Sequence, residues 1–337
     1  MSRVTIKDVS RAAGVAPSTV SRAMTGRGYV SEATREKVLR TIKELNFQPS
    51  SAARTLISGR TGTIALVLPD ITNPFFPLLA RGVEDAARAQ GYMVLLCNTD
   101  GDHLQEQSYS KLLLEQRVDG VVLSAGSTKN RELWTRLAER LPLVVMDRRM
   151  EGAAVDVVLT DNAAGAREAT AHLIRLGHRR IGHISGPPDL PTSQDRRLGY
   201  EQALRAAGLP VDPCLVKAGD FRYGSGYNRM RELLDHGVTA VFAANDMMAI
   251  GAMKAIQETG ARVPDDVAIV GFDDIEMASM VAPAMTTINQ AAYRMGVMAV
   301  DMLFQRIAGE APRKPQQKVL RPSLVIREST GKKGDQA

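Results

Sequence analysis

Apolar residues in the first sixth of the chain recur at helical spacing, whereas those beyond residue 60 come in short continuous runs separated by amphipathic stretches. Ile6, Val9 and Ala13 fall at i, i+3 and i+7, which predicts a first helix with Thr5 as its N-cap and Gly14 turning the chain. A second helix is expected from Pro17 to about Met24, with Val20 and Ala23 facing inward. Proline suits its first position, where the N–H would have no helical partner. Pro17, Ser18, Ser21 and Arg22 are left facing outward. Ser31 caps a third helix whose Val38, Ile42 and Leu45 close a miniature core before Asn46 and Pro49. Two helices joined by a tight turn, the second short and polar on one face, have the form of a helix-turn-helix whose second helix enters the DNA major groove. Residues 50–60, SSAARTLISGR, predict a helix of two turns that needs an external surface to be stable.

From Thr63 the runs IALVLP, YMVLLCN, DGVVLSA and PLVVMD read as strands, separated by helices over 76–89, 105–116 and 131–140. The pattern restarts at VDVVLTD and continues through RRIGHIS, LVKAGD, AVFAAN and VAIVGFDD, with helices over 163–176, 195–207, 223–236 and 247–258 between them. Near-continuous apolar strands alternating with helices mean parallel sheets covered on both faces. The expected fold is therefore a three-helix DNA-binding module with a hinge helix, followed by a two-lobed α/β core of doubly wound parallel sheets. Ligands of such sheets sit at the carboxyl ends of the strands, here the cleft between the lobes.

Charge separates the two textures further. Residues 1–60 carry 11 lysines and arginines against 4 acids, and the remaining chain carries 32 against 33. The net excess of +6 is thus confined to the module predicted to meet phosphates. Cys97 and Cys214 make no disulfide framework and no metal spacing, and no apolar run approaches the roughly 18 residues of a membrane span. A cytoplasmic protein associated with the nucleoid is expected. No G-x-S-x-G, P-loop lysine motif or G-x-G-x-x-G is present, which argues against an enzyme acting on sugars or nucleotides and leaves no catalytic residue, metal or cofactor to assign. His178 and His183 are read as surface or packing residues.

The strand ends hold Asp70, Asn73, Phe75, Phe76, Asp147, Arg148, Arg196, Phe221, Asn245, Asp273 and Gln290, with Asp100, Asp161, Asn162, Asp246 and Asp274 nearby. Carboxylates, amides and arginine forks suit vicinal hydroxyls, and aromatic faces suit the C–H face of a sugar ring. The set reads as a polyol or sugar pocket, although loop-start Asp and Asn also serve as helix caps.

TIKDVSRAAGV, STVSRAM, NFQPSSAARTL, ITNPFF, RVDGVVL, LGHRRIGHISGP, AANDMMAIGAMKAI, VPDDVAIVGFDDIEMAS and PAMTTINQ together resemble the lac repressor family of bacterial transcription regulators. The resemblance implies a homodimer on a pseudo-palindromic operator, with Pro17, Ser18 and Arg22 at base-reading positions and Leu56 as a hinge wedge in the minor groove. Thr5, Thr19, Ser21 and Ala53 complete the expected DNA-contacting set. It also implies domains at 1–49 (helix-turn-helix), 50–60 (hinge), 61–160 with 291–320 (first lobe), 161–290 with 321–330 (second lobe) and a tail at 331–337. The pocket is similar to those of ribose repressors and periplasmic ribose-binding proteins, which makes D-ribose the expected effector. Asp70 stands where ribose repressors have a small residue and Arg148 where they have an aromatic, so a hexose, a purine or a phosphocarrier protein stays open as the signal. The last residues, GKKGDQA, lack a leucine-rich tetramerising tail, so a dimer is expected. By this reading, ligand closes the cleft, the lobes rotate, and the hinge helices gain or lose their packing.

Overall fold

The computed structural model describes residues 4–25, 28–47, 59–124, 130–150 and 153–331. The expected hinge helix, with Ala53 and Leu56, lies outside the described residues. The chain divides into two compact units, Met1–Thr63 with Gln116–Asp119, and the remainder.

In the first unit, α1 (Ile6–Ala13), α2 (Pro17–Thr25) and α3 (Glu32–Glu44) form the three predicted helices. The backbone N–H and hydroxyl of Thr5 both donate to Oδ2 of Asp8, at 2.9 and 2.7 Å, satisfying a helix-start donor. These bonds hold the Asp8 carboxyl below its usual range. Gly14 turns the chain with φ 64°, a left-handed conformation that costs a residue without Cβ nothing. Ser31 Oγ accepts the N–H of Thr34 at 3.4 Å, as a helix cap does. Val9, Ala13, Val20, Ala23 and Val38 are buried together, Ile42 and Leu45 line their edge, and Phe47 joins them beyond the predicted end of α3.

The second unit is built on two parallel sheets. In chain order its elements begin with β1 (Thr63–Leu68), α4 (Phe75–Ala89), β2 (Met93–Asn98), α5 (His103–Glu115), β3 (Gly120–Leu123), α6 (Arg131–Ala138), β4 (Leu143–Met146) and β5 (Asp156–Thr160). There follow α7 (Asn162–Arg175), β6 (Ile181–Ser185), α8 (Pro191–Ala206), β7 (Val216–Ala218), α9 (Tyr223–Leu234), β8 (Ala240–Ala243), α10 (Asp246–Glu258) and β9 (Ala268–Val270). Short α11 (Met277–Met280) and β10 (Thr287–Asn289) then lead to α12 (Ala292–Ala308), β11 (Gln317–Leu320) and β12 (Ser323–Val325).

The first lobe's sheet has the order β11-β5-β4-β3-β1-β2, and the second lobe's has the order β7-β6-β8-β9. Parallel pairing is set by registers such as Ile64 with Gly120, Val144 with Asp156 and Ile181 with Ala240. Strands β3 and β4 are buried throughout, as their unbroken apolar sequences require.

The restart of the strand–helix pattern at VDVVLTD is not a boundary between sheets: as β5 this run lies between β4 and β11 in the first sheet, inside the 61–160 segment expected for the first lobe. A buried parallel strand has the same texture in either sheet, so only pairing assigns it. The chain crosses between lobes three times. It passes from β5 into α7, returns through α12, which packs against α4, and leaves β11 for β12, whose antiparallel partner is β10. Residues after the carboxyl ends of strands in both sheets line one cleft.

Candidate functional site

Pro17, Ser18 and Arg22 are exposed on α2, while Thr19 and Ser21 are half-buried on the same helix. Val20 and Ala23 bury the opposite face, so packing fixes which side chains point to solvent. Thr5 has its hydroxyl engaged by Asp8 at the start of α1.

All eleven residues expected at the strand ends line a single cavity of about 390 Å³ in the cleft. Asp70, Asn73, Phe75 and Phe76 follow β1, and Asp147 and Arg148 follow β4. From the second lobe come Arg196 on α8, Phe221 after β7, Asn245 after β8, Asp273 after β9 and Gln290 after β10. Asp100, Gly101, His103, Asp189, Thr192, Asp220 and Arg222 also line the cavity and were not among the expected contacts, apart from Asp100 as a nearby strand-end residue. Asp100, Gly101, Asp189, Asp220 and Arg222 lie on loops, and His103 and Thr192 in the first turns of α5 and α8, where no strand texture marks them.

The floor holds four buried charges: Asp147, Arg148, Arg196 and Asp273. Arg148 Nε lies 3.5 Å from Asp147, and Arg196 Nη1 lies 3.7 Å from Asp273. Arg196 is held on three sides. Its Nε donates to Asn162 Oδ1 at 2.8 Å, its Nη1 donates to the Ala244 carbonyl at 2.5 Å, and its guanidinium lies 3.9 Å from the centroid of the Phe272 ring. So held, Arg196 is one of the residues that line the cavity. Gln290 Nε2 donates to Asp273 Oδ1 at 2.6 Å, and Asn245 caps α10 while its Nδ2 donates to the Phe221 carbonyl at 2.9 Å. Phe75 and Phe76 meet edge to face, 5.2 Å between centroids, as an aromatic wall.

Burial raises the carboxyls of Asp147 and Asp273, that of Asp273 to about 7, while neighbouring arginines pull the other way. Beneath them Asp246 is raised well above its usual value by burial and by its neighbour Asp273, and it accepts the N–H of Ile275 at 2.9 Å and the hydroxyl of Thr287 at 2.5 Å. Asp100, Asp147, Phe221 and Asp273 all take positive φ, a conformation uncommon outside glycine that concentrates at functional sites. Asp161 is a helix cap, accepting the N–H of Ala164 at 3.0 Å, and Asp274 pairs with Arg327 at 2.7 Å. His183 is a packing residue stacked between Tyr200 and Phe242, its imidazole driven by burial to a pKa of about 4. A floor of fixed donors and acceptors under an aromatic wall can bind a small polyhydroxylated ligand.

Residues 5–50 match the family described as bacterial regulatory proteins, lacI family, and residues 170–330 match the periplasmic binding protein-like domain. The ribose operon repressor of Halalkalibacterium halodurans is 40% identical over 328 residues, covering 97% of each chain. The chain belongs to the LacI family. Another relative, the HTH-type transcriptional repressor PurR of Aliivibrio salmonicida, is 38% identical over 307 residues, covering 90% of this chain and 92% of its own. The crystal structure of the lac repressor dimer bound to operator and the anti-inducer ONPF superimposes with a TM-score of 0.86 at 29% identity, covering 98% of this chain and all of that one. As a LacI-family member the protein is a DNA-binding transcriptional repressor and not an enzyme. Among the described residues no helix is long and apolar enough to cross a membrane.

Proposed function

We propose that this LacI-family protein is the cytoplasmic repressor of a sugar-utilisation operon, binding operator DNA as a homodimer whose affinity is switched by D-ribose in the inter-lobe cleft. The observation that carries the reading is the convergence of Asp147, Arg148, Arg196, Asp273 and Gln290 on one cavity floor beneath Phe75 and Phe76. Five polar side chains fixed by one another offer hydrogen bonds in several directions, which a ring with adjacent hydroxyls returns. The ribose operon repressor relative supports the choice of sugar. For the homodimer, support comes from the lac repressor dimer and from the apolar residues Met93, Leu95 and Leu96 exposed on edge strand β2.

On the DNA side, Pro17, Ser18, Thr19, Ser21 and Arg22 meet base edges and backbone in the major groove and Thr5 sits at the phosphates, with Ala53 and Leu56 assigned to the minor groove at the operator centre. The lobe boundaries follow the three crossings, with 61–160 and 291–320 moving as one body and 161–290 with 321–330 as the other.

Calorimetric titration of the full-length protein with D-ribose, D-xylose and D-glucose tests the effector. Saturable heat with ribose is the expected result. Heat with another sugar alone moves the specificity to Asp70 and Arg148, and silence with all three overturns the sugar reading.

A further inference from the structure

Among the described residues, two ion pairs join the lobes across the cleft. Arg149 adjoins Arg148 on the segment leaving β4 of the first lobe, and Asp195 adjoins Arg196 on α8 of the second. Nη2 of Arg149 donates to both carboxylate oxygens of Asp195, at 2.6 Å each. At the mouth, Nη2 of Arg222 lies 3.7 Å from Oδ2 of Asp70, a longer contact made by a more exposed side chain. Neither Arg149 nor Asp195 lines the cavity.

The placement of the closer pair matters because of what lies next to it. Arg148 and Arg196 are two buried positive charges on opposite lobes, close enough to repel each other, and like charges in a poorly hydrated space favour separation. Asp147 of the first lobe attracts Arg196 of the second and offsets part of that repulsion, while Asp273, on the same lobe as Arg196, repels Asp147. Arg149 with Asp195 adds a direct, close ion pair between the lobes, one residue away from each arginine.

We infer that Arg149 and Asp195 are positioning residues, a clasp that holds Arg148 and Arg196 at the spacing at which both engage one sugar ring. The inference rests on the sugar reading of the cleft. A half-exposed ion pair adds little to overall stability, yet this one exists only when the lobes are close, so its whole strength counts towards the closed state. Loss of either partner lets the cleft open and the ligand leave sooner.

The test uses full-length Arg149→Ala, Asp195→Asn and the exchanged double variant Arg149→Asp with Asp195→Arg, titrated with D-ribose, D-xylose and D-glucose. Each single variant is expected to bind the wild-type sugar roughly threefold to tenfold more weakly, mainly through faster dissociation, with the deficit shrinking in high salt. The exchanged variant should recover most of the loss, which a merely structural contribution of either side chain would not produce. Single variants that bind like wild type, or an exchange no better than its parents, overturn the clasp. If wild-type protein binds none of the sugars, the sugar reading falls, and the clasp is then judged by hydrogen exchange without ligand. Faster exchange of amides 147–150 in both single variants, restored by the exchange, supports it, and unchanged protection overturns it.

Discussion

At Asp273, burial and ionisation oppose each other, and the result is a carboxyl that titrates near pH 7 instead of near 4. Between those values the folded protein keeps a proton that the unfolded chain has released. The native state is then the one with more bound protons, so stability contributed by this group is present below the unfolded pKa and is lost as pH rises towards 7. Asp273→Asn, which cannot ionise, removes that loss. Urea denaturation of ligand-free wild type and variant at about pH 5 and about pH 8 should show wild type losing ground relative to the variant as pH rises. A constant difference would mean that Asp273 is ionised throughout, held so by Arg196. Arg22 poses a different question, because it is exposed on the outward face of α2. If it forks onto a guanine, Arg22→Ala costs about 1–3 kcal/mol of operator affinity and relaxes discrimination at one base pair per half-site. Binding assays on operators mutated one base pair at a time check this; equal weakening on every sequence identifies a phosphate contact instead.

Among the elements, α4 and α12 meet so closely that their backbones touch. A Cβ on Gly82 would lie 2.1 Å from the carbonyl oxygen of Tyr293, and one on Gly296 would lie 2.3 Å from that of Leu79. Neither neighbour is a side chain that can turn aside. Gly296→Ala is therefore expected to cost at least about 1–3 kcal/mol, read as a lower denaturation midpoint of the core. This contact also marks where the sequence stops being informative. The strand and helix textures from 63 to 270 were legible because parallel strands buried on both faces must be apolar throughout. Periodicity reports what an element is and not what it pairs with, so the texture of β5 and α12 left their lobe open, and only the family resemblance put residues 61–160 and 291–320 together. The eleven cavity residues were legible for a separate reason: each follows a strand end or lies just inside the helix after one, where doubly wound sheets gather their ligands. Arg222, Asp189 and Asp220 sit on loops whose path the strands do not dictate. The Arg149–Asp195 pair joins residues 46 positions apart, and nothing local announces it.

For the whole molecule, the proposed switch is a coupling between two sugar sites and one operator in a homodimer, and thermodynamics fixes more about it than its direction. A ligand changes DNA affinity only through its different affinity for the two protein states, typically about 1–3 kcal/mol of coupling, or roughly 5- to 150-fold. Linkage requires reciprocity: bound operator must alter sugar affinity in the same direction as sugar alters operator affinity. Because two sugars act on one operator, the change in operator affinity at saturating sugar equals the product of the changes at the two sites. Fluorescence anisotropy with labelled operator, with and without saturating sugar, gives the first quantity, and calorimetry of sugar binding with and without operator gives the second. If operator shifts each site's sugar affinity by the same factor, the operator affinity must shift by its square. A shift seen in both measurements establishes that the cleft and the DNA-binding face are coupled, whether the sugar releases the repressor or recruits it, and the square relation checks that both sites take part. An operator affinity unchanged by a sugar that does fill the cleft would show that the lobes move without reaching the DNA, and the signal would then have to enter elsewhere.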